Sequence, residues 1–301
     1  MLPVARGGMK LAGGAGKFFK GRAHRILPPY YIALLASIVV IVLLRPAGER
    51  LAFLHEPGNE VSIVFHFLLI QNLSLRTFYG INGPLWSIAT ECQIYLLFPF
   101  IVLAWRRAGT AICLLGIFIL AHAAFHFCGE QIPFNYVFTF ALGAAAAVES
   151  VERRSERWLP LVCCAGLIGY FFSMGSVIVS DLCVGIFVAA LMAMLSAGRL
   201  AWLRVMLSTR LLVWVGSFSY SLYLIHALLQ DWYLSTSFSA RHTGTALQLI
   251  TMFLIVSPLN YGVAYLFYRV AEKPFLNRKR RPVDVSVFNP VLGQQDAPVS
   301  L

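Results

Sequence analysis

PLWSIATECQIYLLFPFIVLA, residues 84–104, contains a single charged side chain, Glu91. As an α-helix it covers about 30 Å, the thickness of the hydrocarbon core of a bilayer. Pro84 suits the first turn, with Asn82 or Gly83 as the cap before it. Glu91 then lies about two turns inside an apolar helix. A carboxylate at that depth is costly and must face a cavity or a partner. The stretch therefore predicts a membrane helix and marks one residue on it.

The same reading extends along the chain. Of 301 residues, 59% are hydrophobic and 12% charged, whereas a soluble domain carries about a quarter of its residues charged. Charge-poor runs recur at Leu27–Leu44, Pro84–Ala104, Thr110–Phe127, Pro133–Val148, Trp158–Met174, Val177–Ala197, Leu211–Leu234 and Thr245–Tyr268. Val61–Leu75 is shorter and holds His66, Gln71 and Asn72. The expected fold is all-α: a polytopic transmembrane helix bundle with about eight spanning helices and one short re-entrant or interfacial segment.

Net charge is +11, but the basic residues lie between the apolar runs and form no single stripe, which excludes a nucleic-acid role. They read as topology determinants. With Val61–Leu75 not crossing, one side receives Arg6, Lys10, Lys17, Lys20, Arg22 and Arg25, then Arg106–Arg107, Arg153, Arg154 and Arg157, then Arg199, Arg204 and Arg210, and finally Lys273 and Arg278–Arg281. Both termini are then cytoplasmic. Three parts follow: a basic cytoplasmic segment 1–26, a membrane domain 27–275 and a disordered cytoplasmic tail 276–301. Six cysteines fall in apolar stretches without the paired spacing of a zinc site, so no metal is expected. The small residues 143–147 predict a close helix–helix contact.

Four groups of residues stand out. Arg22 and Arg25, three apart, face the same way on a helix; two guanidiniums hold phosphate oxygens well, and they equally serve as interfacial anchors. Glu91 suits a proton acceptor or a hydroxyl-orienting group, or a structural hydrogen bond. Ser219, Tyr223, His226 and Gln230 share one stripe of an apolar helix, with His226 suited to a proton shuttle, to binding a hydroxyl or to a bond with a neighbouring helix. Tyr261, Tyr265, Tyr268 and Glu272 share a face of the last helix, where the tyrosines also fit an interfacial belt.

The strings FFKGRAHRILPPYY (18–31), NGPLWSIATECQIYLLFP (82–99), FSYSLYLIH (218–226) and YRVAEKPF (268–275), in that order, resemble the acyltransferase-3 family of bacterial membrane enzymes. The resemblance implies transfer of an acyl group, often acetyl, from cytoplasmic acyl-CoA to a hydroxyl of a carbohydrate or glycolipid acceptor, as in modification of surface polysaccharide or lipopolysaccharide. It implies a multi-pass protein of the bacterial inner membrane, with acyl-CoA as co-substrate and no bound cofactor. Partners are then membrane lipid, acyl-CoA and the acceptor. Arg22 and Arg25 match the family's R-x-x-R donor motif, and Glu91 matches the acidic residue of its W-S-x-x-x-E string. Asn82, Trp86, Tyr223, His226 and Glu272 become acceptor-binding or pocket-lining candidates. The family pattern also has an earlier helix with an Arg and, about eleven residues or three turns later, a His taken as catalytic base. This sequence has no such pair before Leu27. The expectation is a piece or mis-started form of a longer enzyme, or a shortened relative that uses another protein or another base. The competing function is a truncated, non-catalytic membrane protein with a transport or glycolipid-handling role.

Overall fold

The computed structural model describes residues 2–44, 59–128, 135–152, 157–173, 176–234, 236, 241 and 243–276. Among these residues every regular element is helical. Arg153, Arg154, Arg278–Arg281 and the tail from 277 onward lie outside the described residues. The elements are α1 (Leu2–Arg6), α2 (Gly14–Leu44), α3 (Asn59–Phe67), α4 (Leu75–Phe78), α5 (Leu85–Cys128), α6 (Asn135–Glu152), α7 (Leu159–Phe172), α8 (Val177–Ser196), α9 (Ala201–Leu207), α10 (Arg210–Ser217), α11 (Ser219–Leu234) and α12 (Ala246–Phe275).

Large apolar side chains point outward: Phe100 is 69% exposed, Phe172 87% and Phe253 71%. That arrangement is stable only against an apolar solvent. Among the described residues four helices are long and apolar enough to cross a membrane, in α2, α5, α8 and α12. A fifth arises if α10 and α11, bent by 72° to each other, form one span. This count is lower than the eight crossings expected from the apolar runs. The 14-residue α7 is apolar but short, and α5 joins two of the runs. Within α5 the chain reverses. Gly109 is non-helical, at φ 78° and ψ 177°, a conformation that residues with a Cβ avoid. Twelve residues of straight helix would separate Ile101 and Cys113 by about 18 Å. Instead the Cys113 thiol lies 3.9 Å from the Ile101 carbonyl, and the Trp105 indole donates to Thr110 at 3.0 Å.

Two further helix boundaries differ from expectation. The first long helix starts at Gly14, not Leu27, and runs through Pro28 and Pro29. Hydropathy changes at Leu27, but the polar half stays helical because Phe18 stacks on Phe98 at 4.9 Å and Arg22 lies over Tyr95. Membrane helices tolerate the lost proline N–H groups when neighbouring elements pack around the break. The run 211–234 is broken at Phe218, which is fully buried and packs on Trp214 and Tyr265 at 4.9 and 5.6 Å. Seating that ring in the core turns the chain between α10 and α11.

The main core lies where α2, α11 and α12 meet the start of α5. α2 contributes Ile26, Tyr30, Ala33, Leu34 and Ile41, one helical face. A second cluster joins Ile101, Trp105 and Cys113 to Ala141, Ala144 and Val148, with Ala5 and Met9 packed against it. The N-terminal residues, the Gly109 reversal and the end of α6 therefore lie at one end of the bundle. His24 meets Phe275 at 5.6 Å, bringing the end of α12 close to the basic half of α2. The close contact expected around 143–147 is made by alanines. Ala144 and Ala146 are buried, while a Cβ on Gly143 would meet nothing within 4 Å. The tight approach is instead Gly166, whose Cβ would lie 2.7 Å from the Phe187 backbone nitrogen.

Residues 59–78 do not form a span. α3 has nine residues, about 14 Å of helix, and the chain then turns through Leu69, at φ 58°. His66, Gln71 and Asn72 are fully buried. Gln71 donates to Tyr30 at 3.2 Å and to the Leu85 carbonyl at 3.0 Å. Asn72 donates to Gln93 at 2.9 Å, and Gln93 donates back at 2.8 Å. Burial pushes the His66 imidazole below its usual pKa, partly countered by its bond to the Ser62 carbonyl. Because each amide of the Asn72–Gln93 pair satisfies the other, Asn72→Ala or Gln93→Ala should each cost about 1–3 kcal/mol. The two changes together should cost clearly less than their sum, read as thermal unfolding in detergent; additive effects would contradict the pairing.

Candidate functional site

Three cavities hold most of the residues marked by the sequence. The central one, about 600 Å³, lies between the start of α5, α6 and α8. The basic one, about 900 Å³, lies between α2, the α10–α11 bend and the end of α12. The third, about 320 Å³, lies between α11 and α12.

Glu91 and Trp86 line the central cavity, with Ser87 and Thr90 beside them. Thr90 is fixed from behind, since it accepts from Asn72 at 3.0 Å, so the buried amide network sets the rotation of this helix. Trp86 stacks on Phe78 at 4.8 Å and meets Tyr136 at 5.5 Å. Glu91 is half-buried, and Tyr95, one turn later, donates its hydroxyl to Glu91 Oε1 at 2.5 Å. Arg22 lies over the Tyr95 ring at 4.8 Å, over Phe18 at 5.6 Å, and makes a long 3.4 Å contact with the Tyr95 hydroxyl.

Arg22 and Arg25 line the basic cavity together, as their spacing predicts, and Arg269 and Lys273 line it too. Four cations thus surround one space, together with Glu272. Glu272 is 3% exposed and accepts from Ser221 at 2.6 Å. Such a space suits a multiply charged phosphate group, with Glu272 tempering the cationic field.

Ser219, Tyr223, His226 and Gln230 line the third cavity, joined by Asn260 and Tyr261. The α11 stripe therefore does face a polar space. His226 Nδ1 lies 2.9 Å from the Tyr223 carbonyl. A carbonyl only accepts, so Nδ1 donates this bond and Nε2 is left outside it. Asn260 is 3% exposed, and its Oδ1 has no hydrogen-bond partner among the described residues. Tyr223 and Ser87 share a 2.6 Å hydrogen bond, which links this cavity to the central one.

Asn82 has a different placement. It is 1% exposed, and its amide nitrogen donates to Ser37 at 3.1 Å and to the Leu224 carbonyl at 2.9 Å. It ties α2, the entry to α5 and α11 together.

Sequence reading passed over three features. Tyr95 is four residues after Glu91, the spacing at which helix side chains meet. Asp181, in the run 177–197, is a second intramembrane carboxylate of the kind Glu91 represents. It lines the central cavity and accepts from Asn135 at 2.6 Å. Arg269 was not singled out and Lys273 was read only as a topology determinant; their approach to Arg22 and Arg25 is a tertiary fact no spacing reveals.

A family model described as an acyltransferase domain matches residues 8–269. No curated protein matches, and no solved structure matches.

The Tyr95–Glu91 bond is testable apart from any activity. In a Tyr95→Phe, Glu91→Gln double-mutant cycle, unfolding free energies should couple by about 1.5–3 kcal/mol, the range for a hydrogen bond to a charged group. Additivity of the two changes would contradict the bond.

Proposed function

The chain belongs to the acyltransferase-3 family of membrane acyltransferases, and from that premise we propose that it moves an acyl group, acetyl in the simplest case, from acyl-CoA to a hydroxyl of a carbohydrate or glycolipid. The observation that carries this reading is the Arg22–Tyr95–Glu91 series, which joins a space lined by cations to a cavity containing a carboxylate.

Arg22 and Arg25, helped by Arg269 and Lys273, hold the phosphates of the donor. The acceptor hydroxyl enters the central cavity beside Glu91, whose Oε2 orients it or accepts its proton. The hydroxyl oxygen attacks the thioester carbonyl, the carbon–sulfur bond breaks, and the CoA sulfur leaves and takes up a proton. Tyr95 keeps Glu91 Oε1 occupied and so aims the other oxygen. Trp86 forms part of the acceptor wall. Tyr223 and His226 form a second polar wall reached through Ser87, and His226 Nε2 is a second proton acceptor. Asn82 acts as a clamp for the helices around the site. Glu272 adjusts the charge of the donor space.

The same proposal puts the protein in the bacterial inner membrane with both termini cytoplasmic, a basic segment before the membrane domain and a tail after it. The five candidate spans become six if 85–104 and 110–127 cross separately, which the reversal at Gly109 supports, and eight if α6 and α7 cross as well. A reporter fused after Arg107 should then read as cytoplasmic; a periplasmic signal would contradict the topology.

Purified protein in lipid nanodiscs should release CoA thiol from acetyl-CoA only when a glycan acceptor is present. Arg22→Ala/Arg25→Ala should raise the acyl-CoA KM at least tenfold, and Glu91→Gln should lower kcat by about 10²–10⁴, the range for a general acid–base group. Equal release by the double arginine variant would refute the donor assignment. Acetyl-CoA that binds without turnover would favour a non-catalytic, glycolipid-handling protein.

A further inference from the structure

The central cavity changes character along its length. Trp86, Tyr136 and Asp181 mark one end, held by the 5.5 Å Trp86–Tyr136 contact and the 2.6 Å Asn135–Asp181 bond. α6 and α8 run side by side from there, because Asn135 meets Asp181 at this end and Ala146 packs with Ala193 farther along, while α5 crosses them from Trp86 at Tyr136 to Phe98 at Phe140. Beyond Thr139 the lining becomes apolar or small: Gly143, Ala146, Val184, Val188 and Met192. Val184, Val188 and Met192 are 41%, 43% and 46% exposed, so this length is an open groove, not a packed seam. From Asp181 to Met192 it extends about 16 Å.

We propose that this cavity takes an amphipathic acceptor, a sugar head carried on a hydrocarbon tail, and that Asp181 binds the head. This proposal rests on the acyl-transfer reading and narrows its acceptor from any carbohydrate to a glycolipid. Asn135 holds Asp181 Oδ2, which leaves Oδ1 to accept a sugar hydroxyl. Glu91 is likewise held at one oxygen by Tyr95, so two oriented carboxylates line the same cavity. Tyr136 and the part of Trp86 left uncovered by Phe78 offer aromatic surface to the apolar face of a sugar and polar groups at their edges. A free polysaccharide would leave the groove beyond Thr139 unfilled, whereas a tail lies in it and remains continuous with the surrounding lipid. Gly143 keeps the groove open, since a Cβ there enters empty space.

The test uses the full chain in nanodiscs and pairs of radiolabelled methyl and octyl glycosides covering a panel of hexoses and 2-acetamido-hexoses, corrected for partition into empty nanodiscs. At least one octyl glycoside should bind ten or more times tighter than its methyl partner, a difference of about 1.4 kcal/mol. Asp181→Asn retains an acceptor for Asn135, so the thermal midpoint should stay unchanged while both glycosides bind about tenfold more weakly, or about 1.4 kcal/mol. Gly143→Leu should weaken only the octyl glycoside. Equal binding of methyl and octyl forms, no response to Asp181→Asn, or a Gly143→Leu effect confined to the KM of longer acyl-CoA donors would overturn the proposal; the last would assign the groove to the acyl chain. Octyl-selective binding without transfer would instead remove the transferase reading and leave the glycolipid site standing.

Discussion

A carboxylate set inside an apolar helix has few ways to exist, and in this protein the constraint falls on Glu91. Its partner is Tyr95 on the same helix face, whose hydroxyl binds one carboxylate oxygen and whose ring lies under the Arg22 guanidinium. Arg22 must therefore stay on a helix that continues beyond its apolar portion, which requires α2 to run unbroken through Pro28 and Pro29 from Gly14. The aromatic packing of Phe18 on Phe98 holds that extension in place. One polar contact thus fixes the distance between the cationic space and the carboxylate cavity.

The buried amides serve the same end from the opposite side. In hydrocarbon every polar group needs an internal partner, and residues 59–78 bring Gln71 and Asn72 against α2 and α5. The reciprocal Asn72–Gln93 pair admits one rotation of α5. That rotation sends Glu91 and Trp86 toward α6 and α8, while Asn82 joins α2 to α11. The short, non-spanning segment is accordingly a wedge that orients the helix bearing the acid.

Much of this organisation was legible in the sequence because it depends on local pattern. The outward apolar surface, the non-spanning segment around His66, the shared face of Ser219, Tyr223, His226 and Gln230, and the pairing of Arg22 with Arg25 follow from hydropathy and helical spacing. The resemblance of the four strings to the acyltransferase-3 family agrees with the family match over 8–269. What escaped is tertiary or depends on competing local rules. Hydropathy placed a helix start at Leu27, where aromatic contacts extend the helix back to Gly14. A continuous apolar run hid the 72° bend that seats Phe218 in the core. Gly143 looked like a packing residue yet borders a cavity, because the neighbouring helix contact is made by the alanines around it. Asp181 was legible as a second carboxylate in an apolar run but was passed over, and Lys273 gained meaning only when folding brought it to the cavity that Arg22 lines.

In the proposed mechanism Tyr95 couples the donor space to Glu91 as a positioning residue, without itself binding either substrate. Steady-state kinetics of Tyr95→Phe, with acyl-CoA and acceptor varied in turn, address it directly. The kcat should fall by about 10–100-fold, a loss of roughly 1.4–2.7 kcal/mol of transition-state stabilisation, with both KM values within about twofold of the parent. A parental kcat, or a change confined to either KM, would contradict it.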